Sequence, residues 1–231
     1  MLDTILFGVF PYVAIVLAVV VSIRRFSSDK YSITTKSSQF LENQALFYGS
    51  IAWHYAILII LAAHLIAIFF PGIFGNLIAD PLRLQIIEIT GFGLGLLALF
   101  GIVVLILRRL TNPRIKAVTG KWDKVVGLLL LLQVLSGVFI AMHYRWGAAW
   151  FIHTASPWIW SLLKFAPNVD FISNLPHPVK LHFFNTFLLI ALLPFTKLIH
   201  VLTFPIQYLI RPPQVVVWNR SKTKKMKQGD L

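Results

Sequence analysis

The sequence predicts an all-α integral membrane protein, a bundle of five spanning helices, and three observations carry that. The 231 residues are 58% hydrophobic, with a mean hydropathy of +0.78. The apolar residues fall into five long runs, each near the ~20 residues needed to cross a hydrocarbon core. The basic residues, which give a net charge of +13, lie almost all on alternate connections between those runs. No soluble domain is left over: residues 1–210 read as the membrane domain and 211–231 as a basic tail.

The first run, about 6–23, ends in Arg24 and Arg25. No basic stretch precedes it and no convincing cleavage site follows, so it reads as an uncleaved span. Pro11 falls near its start, where a proline costs little. The second run, about 46–70, stops at Pro71-Gly72. The third, about 86–107, contains Gly91, Gly93, Gly95 and Gly101, small residues that let a helix or a flat cofactor come close. The fourth covers about 125–142 and the fifth about 179–202.

Lysine and arginine orient the bundle. Seventeen lie between spans one and two, between three and four, or from the end of span five (Lys197) onward; only Arg83, Arg145, Lys164 and Lys180 lie on the other side. The positive-inside rule then places the N-terminus outside and the C-terminus in the cytoplasm. The same distribution removes nucleic acid as a partner, because the positive charge forms topology loops and a tail that meets lipid or a soluble protein. Cysteine is absent, which excludes a cysteine-ligated iron–sulfur cluster, covalent haem and disulfides on this chain.

The outer segment, 143–178, holds Trp146, Trp150, Trp158 and Trp160, four of the seven tryptophans. Tryptophan favours the headgroup level, so the segment reads as interfacial amphipathic turns, with a lid over a lipid-soluble substrate's entrance as the sharper alternative.

Histidines carry the chemistry. The second span holds His54 and His64, the fifth His182 and His200. An intramembrane histidine marks a proton path, a partner or a metal. With the orientation above, depth matching pairs His64 with His182 on the outer side and His54 with His200 on the inner side. Each pair suits one haem iron, and iron with two imidazoles transfers electrons and has no open axial position. Ten residues from His54 to His64 rise about 15 Å, whereas eighteen from His182 to His200 rise about 27 Å. Straight, parallel helices do not easily absorb that difference; helix tilt, side-chain reach and a kink at Pro194 have to account for it. Two other classes stay open on pattern alone, a proton-coupled transporter and a haem-free anchor. A relay ordinarily needs carboxylates, and the one acid within a span is Glu88, near an outer end. His143, His153 and His177 read as surface residues, His177 being the rival to His182.

Arg109 and Lys197, at cytoplasmic ends of spans, suit haem propionates. Arg83 suits a quinone carbonyl or an outer propionate, or snorkels to headgroups. Ala62 and Ala63 leave room beside His64.

With these residues in view, the chain resembles the gamma subunit of respiratory nitrate reductase, a dihaem cytochrome b. The likeness runs through FPYVA, SSQFL, the H-x9-H of the second span and RRLTNPRIK. Its most specific part is KLHFFNTFLLIALLPFTKLIHVLTFPIQYL, with H-x17-H and the proline before the second histidine. The resemblance implies five helices in the cell membrane and two haem b groups. It makes His54 and His200 ligands of the inner haem, and His64 and His182 ligands of the outer haem beside a quinol site. It further implies an iron–sulfur beta subunit and a molybdenum-containing alpha subunit that reduces nitrate, with electrons drawn from the membrane quinol pool. Arg83 is the nearest match to the lysine typical of the family's quinol position, and Ala63 stands where the family often has glycine. Related modules serve heterodisulfide-reductase-like and sulfite-reductase-linked complexes or nitrite oxidation, and form the alternative within this class. The segment 144–176 and the tail after Arg211 do not share the likeness.

Overall fold

The structure, a computed structural model, describes residues 1–28, 38 and 40–202; the basic tail expected over 211–231 lies outside them. Among the described residues there is no strand, and five helices are long and apolar enough to cross a membrane. A π-helical opening, Thr4–Val9, leads into α1, Phe10–Ser28. The other long helices are α2, Gln44–Phe69, and α4, Pro81–Thr111, joined through the short α3, Pro71–Ile78. After α5, Pro113–Ala117, come α6, Lys121–His143, and three short helices: α7, Gly147–His153, α8, Ala155–Leu163, and α9, Asp170–Ser173. The last is α10, His177–Leu192.

Packing follows an arc. α2 lies along α4, α4 along α6, α6 along α10, and α10 along α1. In this series α4 and α6 stand between α2, which carries His54 and His64, and α10, which carries His182, while His200 lies in the stretch beyond α10. Gly101 sets the tightest of these contacts: a Cβ there would stand 2.6 Å from the Trp53 backbone nitrogen, so only glycine lets α4 lie directly on the α2 backbone. A Cβ at Gly91 or Gly93 would meet nothing within 4 Å. Close helix contact therefore explains Gly101 and not the other two.

The fifth span is not one continuous helix. α10 ends at Leu192, and a 3₁₀ turn, Leu193–Phe195, precedes extended Thr196 and a second 3₁₀ stretch, Lys197–Val201. Pro194 explains the break, because it has no N–H to continue the ladder and its ring crowds the preceding turn. Its own carbonyl accepts from Arg25 Nη1, tying the break to the end of α1.

Pro11 is less free than its sequence position suggests. The helix begins at Thr4, so Pro11 sits inside the span. In a regular helix the Phe7 carbonyl would accept from residue 11, which has no N–H. The chain widens into a π turn at that point, and Trp158 Nε1 donates to Phe7 O at 3.1 Å. The same arrangement recurs at the end of α2. Pro71 cannot serve the Ala67 carbonyl, and Ser156 Oγ donates to it at 2.7 Å, while Trp160 Nε1 donates to Ile68 O at 2.8 Å. Leaving either carbonyl unpaired away from water would cost a few kcal/mol. Residues 143–178 are thus fastened to the bundle. Trp158, 1% exposed, forms a core with Phe7, Val179 and Phe183, and Glu88 accepts from the backbone N–H of Trp146 and Ala148.

Candidate functional site

Two ends of the bundle can be told apart by their chemistry. At the basic end lie the start of α2, the end of α4, the start of α6 and the residues after Pro194. Arg108, 5% exposed, is the anchor there: it donates to the Glu42 carboxylate and carbonyl and to Ser38, fixing the chain just before α2. Glu42 Oε1 also accepts from Ala45 N–H at 2.7 Å, serving one of the open amide donors of the first turn of α2. The Arg108 side chain holds the Glu42 carboxyl below its ordinary range. Arg109 and Lys197, the two expected propionate partners, converge on Asp123, at 3.8 and 2.8 Å. Lys197 and Asp123 also line a cavity of about 220 Å³ with Arg25, Lys121 and Thr196.

Beside these groups His54 and His200 face each other, ring centroids 6.3 Å apart. Each ring is anchored by its own helix or turn. His54 Nδ1 lies 2.7 Å from Ser50 O, and His200 Nδ1 lies 2.8 Å from Lys197 O. A carbonyl can only accept, so Nδ1 carries a proton, and the atom left for a metal is Nε2. Two metal–imidazole bonds of about 2 Å each, plus the ring radii, put centroids about 6 Å apart, so the separation is compatible with both rings donating to one metal. Among the described residues there is no group of three or more His, Asp or Glu that could hold a metal ion.

At the tryptophan-rich end, His64 has the same backbone anchor, Nδ1 to Ile60 O at 2.7 Å, and its ring meets Phe151 edge-on at 5.4 Å. His182 differs. Its ring lies against α6, with Ser136 Oγ 2.9 Å from Nδ1 and Gln133 Nε2 3.0 Å from its Nε2. Gln133 further donates to Thr186 Oγ1 and accepts from Asn185 Nδ2. His64 belongs to α2 and His182 to α10. Their rings are not seated on each other as those of the basic-end pair are. The Nε2 of His182 is an acceptor toward a flexible amide, so the donor type suits a metal once Gln133 turns aside.

Arg83 stands apart from both pairs. It opens α4, its N–H bonded to the Asp80 cap at 3.0 Å, and its side chain is half exposed with Asp80 4.0 Å away. A cavity of about 360 Å³ at the same end is lined by His143, Tyr144, Arg145, Trp150, Leu175, Pro176 and Val179, without Arg83. Arg108, Gln133, Ser136 and Asn185 were not singled out from the sequence as site residues. Gln133, Ser136 and Asn185 did carry a signal, since each is a polar residue inside an apolar run.

The comparisons with known proteins agree in direction. The family model described as nitrate reductase gamma subunit matches residues 3–219. The nitrate reductase gamma chain of Bacillus subtilis is 31% identical over 211 residues, covering 90% of this chain and 94% of that protein. The respiratory nitrate reductase 1 gamma chain of Escherichia coli is 27% identical, covering 93% and 97%. The nitrate reductase-like protein NarX of Mycobacterium tuberculosis is 30% identical over 92% of this chain, but the match spans only 33% of that longer protein. The multi-pass helical bundle and these matches together place the chain in the nitrate reductase gamma subunit family, as a membrane electron-transfer subunit of a nitrate reductase.

Proposed function

We propose that the chain is the quinol-oxidising, dihaem subunit of a respiratory nitrate reductase, delivering electrons to an iron–sulfur beta subunit and a molybdenum-containing alpha subunit. The observation that carries the reading is the His54–His200 pair, with its 6.3 Å ring separation between α2 and the 3₁₀ stretch after Pro194. A haem bound there and another at His64 and His182 would supply one-electron transfer without an open axial position.

The chain's own residues do the positioning. Ser50, Ile60 and Lys197 carbonyls hold three imidazoles through Nδ1–H, which leaves Nε2 as the atom for a metal. Arg109 and Lys197 provide positive charge beside the basic-end pair, shared with Asp123, and suit propionate carboxylates. By the positive-inside rule the basic end faces the cytoplasm and the soluble subunits, and the N-terminus lies outside. Arg83, at the opposite end, is the residue we assign to the quinol headgroup; its half-exposed guanidinium offers a donor to a carbonyl oxygen.

Spectroscopy tests this directly. The dithionite-reduced chain, purified from membranes, is expected to show a b-type spectrum and two haems per polypeptide. A haem-free chain, or one with a single haem, sinks the reading.

A further inference from the structure

Three of the four histidines take their Nδ1 acceptor from the main chain of their own segment. His182 takes its acceptor from the side chain of another helix. Ser136 is 7% exposed, and its hydroxyl hydrogen is directed to Gln133 O at 3.0 Å. The oxygen lone pairs that remain face His182 Nδ1 at 2.9 Å, so Ser136 accepts from the ring. The neighbouring bonds require the same tautomer. Thr186 donates to the His182 carbonyl at 2.8 Å and so accepts from Gln133, whose other amide hydrogen points to His182 Nε2. Gly137 completes the seat: a Cβ there would stand 3.2 Å from His182 Cε1.

We propose that Ser136 is a positioning residue for His182, and that through it α6 sets the orientation and donor strength of this one ligand independently of the other three. The proposal rests on the dihaem reading above. An acceptor on Nδ1–H raises the basicity of the imidazole and stabilises the oxidised metal, and a hydroxyl accepts less strongly than a main-chain carbonyl. The group held by His182 is therefore tuned by a residue that can be replaced without touching a ligand or the backbone.

The experiment is a potentiometric titration of both haems in membranes carrying the wild-type complex or the Ser136→Ala, Ser136→Cys and Ser136→Thr variants, with low-spin EPR of each. The haem retained in a His200→Ala variant identifies the His182 site. Ser136→Ala is expected to raise the midpoint potential of that haem and shift its EPR signal, leaving the other haem in place. Ser136→Thr, which keeps the acceptor, restores both values. Ser136→Cys, nearly isosteric with a weak acceptor, gives the same upward shift should the alanine variant not accumulate. Two haems with unmoved potentials in Ser136→Ala and Ser136→Cys overturn the proposal alone, as does an equal shift of both haems, which would mean a general loosening. A wild-type complex without two haems overturns the dihaem reading and this inference with it.

Discussion

The two histidine pairs show different ways of orienting an imidazole inside a bundle. At the basic end both rings hang from carbonyls three or four residues earlier in their own chain, and the pair is already in register. At the tryptophan-rich end His64 follows that pattern, but His182 is seated by Ser136, Gln133 and Gly137 of α6. A ring fixed by its own backbone depends mainly on where its helix is placed. A ring fixed by a neighbouring helix depends on side-chain chemistry as well. The first pair should therefore be sensitive to changes that move α2 or the segment after Pro194, and the second to polar substitutions on α6.

The largest effect is expected from removing a ligand outright. His200→Ala should halve the haem content and abolish one of two redox transitions, while the His182 site keeps its spectrum. Retention of both haems in that variant would show that His200 is not a ligand. A smaller, graded effect is expected at Gly101. Its added methyl in Gly101→Ala would meet the Trp53 backbone, beside His54, and something must shift. Overpacking of this kind costs roughly 1–3 kcal/mol. The melting temperature should fall, and the spectrum of the basic-end haem should change more than that of its partner. Equal perturbation of both haems would dissolve the distinction between the pairs.

Much of this was legible from residue type. Apolar run length gave the spans, and histidines stand out in such runs because polar side chains there are costly. The bend at Pro194 followed from comparing rises. What sequence could not supply was the other half of each interaction. Pro11 and Pro71 advertise carbonyls without a regular partner, but nothing local says that Trp158 and Ser156, far along the chain, complete them. Arg108 and Arg109 look alike in the sequence, yet one is buried on Glu42 and Ser38 while the other shares Asp123 with Lys197. Their difference is a matter of helical phase against neighbours that only the fold identifies.

The mildest prediction concerns how α2 is held at its start. The bond from Arg108 keeps the Glu42 carboxyl below its ordinary value of 4.5. A carboxyl so lowered binds its proton more readily in the unfolded chain. The stability it contributes is therefore complete above pH 4.5 and is lost as pH falls through the lowered folded value. Glu42→Gln keeps the shape and removes the charge. At neutral pH the variant should melt slightly earlier than the wild type, and its melting temperature should fall less steeply as the medium is acidified below that range. Because Glu42 and Arg108 set the entry of α2, the variant should also alter the basic-end haem spectrum while sparing the His182 site. Parallel acid profiles for the two proteins would mean that the clamp does not carry this pH dependence.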